Sequence, residues 1–203
     1  MNQNTNQNDP HKIVLPVFDP SIFTTSKKVG SNPKDILLEV GMKEGEVVAD
    51  FGCGVGFFVT EASQIVGSSG KVYAVDIDQK LLDSLKVKSI EGGMRNVYGI
   101  LADLEQPKST KLPDGSCDIV LIINLLYLIK NKKAVLSEAH RILKNGGQMV
   151  VMDWSSKSNN SLLEKDEHVS SKEVKDLART IGLRFVKKFE AGIAHEVQAY
   201  LKG

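Results

Sequence analysis

The run Val47-Val48-Ala49-Asp50-Phe51-Gly52-Cys53-Gly54-Val55-Gly56-Phe57-Phe58 constrains the fold of this chain more than any other. It spells a buried strand, a turn with glycines at alternate positions, and the first turn of a helix. Alternate glycines let the main chain bend sharply and let a ligand lie against bare backbone. The helix that follows aims its free N–H groups at the same place. Asp50, two positions before the first glycine, adds negative charge there. This set suits a nucleoside carrying positive charge better than a pyrophosphate. The spacing G-x-G-x-G also departs from the G-x-G-x-x-G of dinucleotide folds, which makes a nicotinamide dehydrogenase the weakest reading. A tight turn without a ligand is the plain structural alternative.

Composition narrows the partners. Lys and Arg total 26 against 25 Asp and Glu, a net charge of +1, so nothing in the balance calls for nucleic acid or an anionic membrane. The densest basic group, Lys130, Lys132, Lys133, Arg141 and Lys144, reads as a solvated helix face. The two cysteines, Cys53 and Cys117, form neither a disulfide framework nor a metal site, and a reducing compartment is the default. No apolar stretch reaches the ~18 residues of a membrane span. The polar start lacks the regions of a signal peptide, so the chain reads as cytoplasmic.

With 203 residues, one well-cored domain is expected. Residues 1–12 read as a disordered polar tail, 13–45 as an N-terminal segment and helix covering the ligand site, and 46–203 as the main domain. From Val47 onward apolar strands alternate with amphipathic helices, the pattern of an α/β fold with a largely parallel sheet. Strands are drawn at Val47–Phe51, Lys71–Ile77, Val97–Ala102, Asp118–Ile123 and Gln148–Met152, apolar throughout as doubly covered strands must be. Between them, helical faces run through Phe58, Ala62, Ile65 and Val66, then Leu81, Leu82, Leu85 and Ile90, then Val135, Leu136, Ala139, Ile142 and Leu143, with Gly146 as a stop. Asn32 or Ser31 caps a first short helix with Pro33 in its first turn. After a Ser/Asn-rich loop from Trp154 to Asp166, Ser170-x-x-Glu173 opens a last helix ending at Gly182. Strands near Leu183–Lys188 and Val197–Leu201, joined by a short link, are antiparallel neighbours.

Two further acids end strands. Asp76 lies 24 positions after Gly52, in the place where an acid accepts hydrogen bonds from ribose hydroxyls. Its bland alternative is a helix N-cap, a duty for which Asp78 is better placed. Asp103 closes the third strand, where it can reach the exocyclic amine of a purine while Leu104 supports the base. Ordinary turn chemistry explains Asp103 equally well.

Taken in order, these features resemble the class I S-adenosylmethionine-dependent methyltransferases over about residues 33–203. The resemblance rests on Asp50-Phe51-Gly52-Cys53-Gly54-Val55-Gly56, on Asp76, and on Ala102-Asp103-Leu104. It also rests on Cys117-Asp118-Ile119-Val120 through Asn124-Leu125-Leu126-Tyr127, and on Arg141-Ile142-Leu143-Lys144-Asn145-Gly146-Gly147-Gln148-Met149. Within that class the chain looks most like the ubiquinone/menaquinone-biosynthesis-type branch of small-molecule enzymes. The resemblance implies a Rossmann-like seven-stranded, mostly parallel sheet with helices on both faces and an antiparallel last strand. It also implies S-adenosyl-L-methionine as cofactor, with S-adenosyl-L-homocysteine as product.

The implied cofactor residues are Asp50, Gly52, Cys53, Gly54, Gly56, Asp76, Ile77, Asp103, Leu104 and Asn124. Asp50 would lie near the methionine amino group, and Asn124 and Tyr127 would face the methyl and the acceptor. His168 and His195 flank the acceptor side and are the plausible proton acceptors, while His11 and His140 read as bland. The methyl acceptor is expected to be a small molecule, attacked in line on the sulfonium methyl. An RNA or protein methyltransferase, or a non-catalytic S-adenosylmethionine-binding module, are the competing readings. Arsenic methylation needs a cluster of thiols, and catechol-type transfer needs clustered metal-binding carboxylates; neither set is present. Asn124-Leu125-Leu126-Tyr127 in place of an Asn-Pro-Pro-Tyr type signature argues against adenine or glutamine N-methylation.

Overall fold

The computed structural model describes residues 32–154, 169–192 and 195–203. Seven strands are present: β1 (Val47–Phe51), β2 (Lys71–Asp76), β3 (Val97–Leu101), β4 (Cys117–Ile123), β5 (Leu143–Trp154), β6 (Leu183–Ala191) and β7 (His195–Lys202). They form one sheet ordered β3-β2-β1-β4-β5-β7-β6. Strands β1 to β5 are parallel, and β7 is antiparallel to both of its neighbours. This is the mostly parallel, Rossmann-like sheet that the sequence implies.

Five helices cover the two faces: α1 (Pro33–Glu39), α2 (Phe57–Val66), α3 (Gln79–Glu91), α4 (Lys132–Ile142) and α5 (Ser171–Thr180). On one face Ile36 and Leu37 of α1, Val59 and Ala62 of α2 and Leu85 of α3 pack on Val48, Val72 and Leu121. On the other, Val135, Leu136 and Ala139 of α4 and Val174 and Ala178 of α5 pack on Phe51, Val120 and Val151. Each Val, Leu, Ile or Phe among them stabilises the fold by about 1.5–3 kcal/mol when fully buried. The central strands are apolar on both faces because both are covered.

Capping separates α2 from the other helices. Asn32 accepts from the Asp35 amide at 2.9 Å, Asp78 from Lys80 at 2.8 Å, Asn131 from Ala134 at 3.2 Å and Ser170 from Glu173 at 3.1 Å. The N-cap of α2 is Gly56, with no side chain to close its leading N–H groups. That end is left for something other than a cap.

Several expectations are corrected. Ile90 is 71 % exposed and Ser89 is buried in its place, so the apolar face of α3 is narrower than its spelling. Helix α4 ends at Ile142, before Gly146, because Leu143 already pairs with Cys117 as the first residue of β5. Pairing then resumes at Gln148 with Ile119, and Gly146 sits in the intervening excursion at φ +78°. The basic group divides: Lys130 and Lys133 are exposed, as a solvated face requires, and Arg141 and Lys144 are held in ion pairs. Arg141 binds Glu138 at 2.7 Å and Asp114 at 2.5 Å, and Lys144 binds Asp118 at 2.8 Å. Helix α1 packs in the core and Gln148 Nε2 donates to the Val40 carbonyl at 3.4 Å, while residues 13–31 of the N-terminal segment lie outside the described residues. The polar tail, the loop after Trp154, His11 and His168 lie outside the described residues. Among the described residues no helix is long and apolar enough to cross a membrane.

Candidate active site

The strand order reverses between β1 and β4, and in such sheets ligands bind outside the carboxyl ends at that point. The turn after β1 is tied to β2 there, with the amides of Gly52 and Cys53 donating to the Val75 carbonyl at 2.8 and 3.1 Å. The three glycines serve different ends. A Cβ on Gly56 would lie 2.4 Å from Leu85 Cδ1, and one on Gly52 would lie 2.8 Å from Leu125 Cδ1. A side chain at either position must displace a leucine tip and adopt a left-handed backbone, φ +80° at Gly56 and +71° at Gly52. At Gly54, with φ +53°, a Cβ would meet nothing within 4 Å, so this residue presents bare backbone to open space.

Asp76 closes β2 beside that opening. Its Oδ2 accepts from the Gly54 amide at 2.9 Å and its Oδ1 from the Asp78 amide at 3.0 Å. Cys53 Sγ lies 4.0 Å from the same Oδ2. Burial and the charges of Asp50 and Asp76 hold the Cys53 thiol far above its ordinary range, so it is a packing group and not a nucleophile.

Asp50 is buried, and no hydrogen bond from the described residues compensates its carboxyl. Burial first, and the Asp76 charge second, push its pKa up to about 8. A buried acid left without a donor is costly unless a cation arrives. Together with the open Gly54 and the uncapped α2, Asp50 fits a nucleoside whose other end carries positive charge.

The remaining candidates divide. Asn124 follows β4 at φ +50°, with its amide donating to Met152 at 2.7 Å and its Oδ1 buried and unpartnered. That backbone conformation is uncommon for a residue other than glycine, and the residue follows the carboxyl end of β4, next to β1 in the sheet. Ile77 is just past β2 and 65 % exposed. Asp103 accepts from the Glu105 amide at 3.0 Å and from Gln106 Nε2 at 3.2 Å, so part of its capacity is spent in a local turn. Leu104 is buried in a cluster with Ala102 and Leu112. Tyr127 lies in a single 3₁₀ turn, Leu126–Leu128, half-buried. His195 is buried against the Trp154 ring, centroids 4.3 Å apart, and burial takes its pKa down to about 4. It is neutral at pH 7.

One residue escaped the sequence reading. Asp153 near the end of β5 is 7 % exposed and lines a cleft of about 210 Å³ together with Trp154, Ser170, Lys172 and Glu196. The signal was a charged residue ending the apolar run Met149–Met152, at the carboxyl end of a parallel strand. Among the described residues no cluster could hold a metal ion.

A Rossmann-like sheet with a glycine turn and strand-end acids at its switch point is the architecture of an α/β domain that binds its ligand at that point. Residues 42–195 match the family described as "Methyltransferase domain". The chain belongs to this family. A solved S-adenosylmethionine-dependent methyltransferase from Aquifex aeolicus has a TM-score of 0.78 at 25 % identity, covering 92 % of this chain and 100 % of its own. An arsenic(III) S-adenosylmethionine methyltransferase from Chlamydomonas reinhardtii is similar at TM-score 0.65 and 25 % identity, over 80 % of this chain and 65 % of its own. In sequence, the ubiquinone/menaquinone biosynthesis C-methyltransferase of Teredinibacter turnerae is 32 % identical over 126 residues, 62 % of this chain and 49 % of that protein. The chain thus spans about half the length of the curated relatives it matches.

Proposed function

We propose that the protein transfers the methyl group of S-adenosylmethionine to a small-molecule acceptor by in-line displacement. One observation carries this reading. The cofactor turn and the cleft beside Asp153 open at the same edge of the sheet, and that cleft, about 210 Å³, lies below the ~300–1,000 Å³ of drug-sized sites. Such a cleft admits one ring or one head group. The near-neutral charge and the similarity to enzymes named for ubiquinone and menaquinone biosynthesis support an acceptor of this size over RNA. The two buried thiols support a cytoplasmic location.

In this reading the Gly52–Gly56 backbone runs along the methionine part and Asp50 takes its ammonium. Asp76 accepts from the ribose hydroxyls, Asp103 faces the base, and Asn124 lies toward the methyl. Bound there, the cofactor supplies an activated methyl on a sulfonium whose leaving group is a neutral thioether. The protein's share is proximity, alignment and exclusion of water.

The test is release of S-adenosylhomocysteine from S-adenosylmethionine in the presence of small hydroxylated and amino compounds, tRNA, or peptides. Turnover confined to small molecules is expected. Turnover confined to tRNA or peptides contradicts the proposal.

A further inference from the structure

Asp153 combines features that a merely structural acid need not have. Its Oδ1 accepts from the Trp154 amide at 2.8 Å, and the Leu126 and Tyr127 amides favour its charged form. Its Oδ2 is buried without a partner, on a residue that lines the cleft. A buried acceptor left empty is costly, so its occupant is sought in a ligand. The Asn124 amide bonded to Met152 ties the end of β4 to the end of β5, which sets this acid one strand beyond the cofactor crevice.

We propose, building on the methyl-transfer reading above, that Asp153 receives the proton of a neutral hydroxyl on the methyl acceptor. A hydroxyl suits the site better than an ammonium because backbone amides already compensate much of the carboxylate charge. In the step, the acceptor O–H bond breaks and its proton goes to Asp153 Oδ2. The electron pair set free makes the new bond to the methyl carbon, while the carbon–sulfur pair stays on sulfur as S-adenosylhomocysteine leaves. The proton then passes to solvent.

Burial raises the Asp153 pKa to about 6, with the Trp154, Tyr127 and Leu126 amides and the Lys132 charge pulling against it. That value lies near working pH, where a general base is most effective. The other charged groups around it are accounted for. Glu196, its register partner on β7, is paired with Lys188 at 2.6 Å and with Ser171. Lys172 lines the cleft from the start of α5. His195, one position along, is neutral at pH 7.

Asp153→Asn separates this role from a structural one, because asparagine still accepts the amide hydrogen bonds but cannot take a proton. Phenol binding, without cofactor, is read from the emission of Trp154, the one tryptophan in the chain. In the native protein affinity for phenols is expected to rise with pH through an inflection near 6, and in Asp153→Asn to be flat. With S-adenosylmethionine present, kcat/KM for a phenol that turns over should show the same inflection, and the variant should lose about 100-fold or more. Failure of the native protein to bind phenols, a flat native profile, or an inflection kept in the variant overturns the proposal. Absence of S-adenosylhomocysteine binding to the native protein would instead defeat the methyl-transfer reading itself, so the two failures are distinguishable.

Discussion

The backbone amide of Gly54 donates to Asp76 Oδ2 at 2.9 Å, so the acid closing the second strand holds the glycine turn that follows the first. Turn and acid form one unit, and removing either loosens a surface that the cofactor must meet preformed. Asp76→Ala is therefore expected to weaken S-adenosylhomocysteine binding by about 10- to 100-fold, since hydrogen bonds to a charged group contribute ~1.5–3 kcal/mol. Calorimetric titration measures it.

Two glycines of the same turn should respond differently to alanine. Gly56→Ala drives a methyl to 2.4 Å from Leu85 Cδ1, and overpacking of that kind destabilises by about 1–3 kcal/mol. Gly54→Ala meets open space and should cost only ~1–2 kcal/mol of backbone strain while filling the place kept for the ligand. Urea unfolding and cofactor titration on both variants should show stability lost chiefly in the first and binding chiefly in the second.

The buried acid of β1 predicts a pH dependence. The folded pKa of Asp50, about 8, lies above its unfolded value of ~3.9. The folded chain therefore binds more protons between those values, and ligand-free stability falls as pH rises through that window and levels off above it. Asp50→Asn should remove this slope and stabilise the ligand-free protein above pH 8 by a few kcal/mol, to order of magnitude. Urea midpoints across a pH series check it.

Arg141 is expected to matter through packing and charge far from the site. Its guanidinium joins the nearly buried Glu138 to Asp114 and to the Leu112 carbonyl at 2.7 Å. Arg141→Ala leaves the Glu138 charge buried, a change worth roughly 3–5 kcal/mol. Unfolding midpoints should drop while S-adenosylhomocysteine affinity stays within about twofold.

What the sequence disclosed was local, and what it hid was distant. The strand–turn–helix from Val47 to Phe58 and the cap at Ser170 were legible because their signals lie within a few residues of one another. The end of α4 was not, because Leu143 is taken by a strand partner, Cys117, 26 positions away. Arg141 looked solvated because Asp114 and Thr110 reach it from 27 and 31 positions away. Asp153 went unread for the same reason, since the Leu126 and Tyr127 amides that favour its charged form come from the end of a neighbouring strand.

The central claim is tested most directly by calorimetry of the purified protein with S-adenosylmethionine, S-adenosylhomocysteine and NAD, repeated on Asp76→Ala. The account predicts saturable binding of both sulfur nucleosides, none of NAD, and marked weakening in the variant. Binding of NAD alone, or sulfur-nucleoside binding indifferent to Asp76, would contradict it.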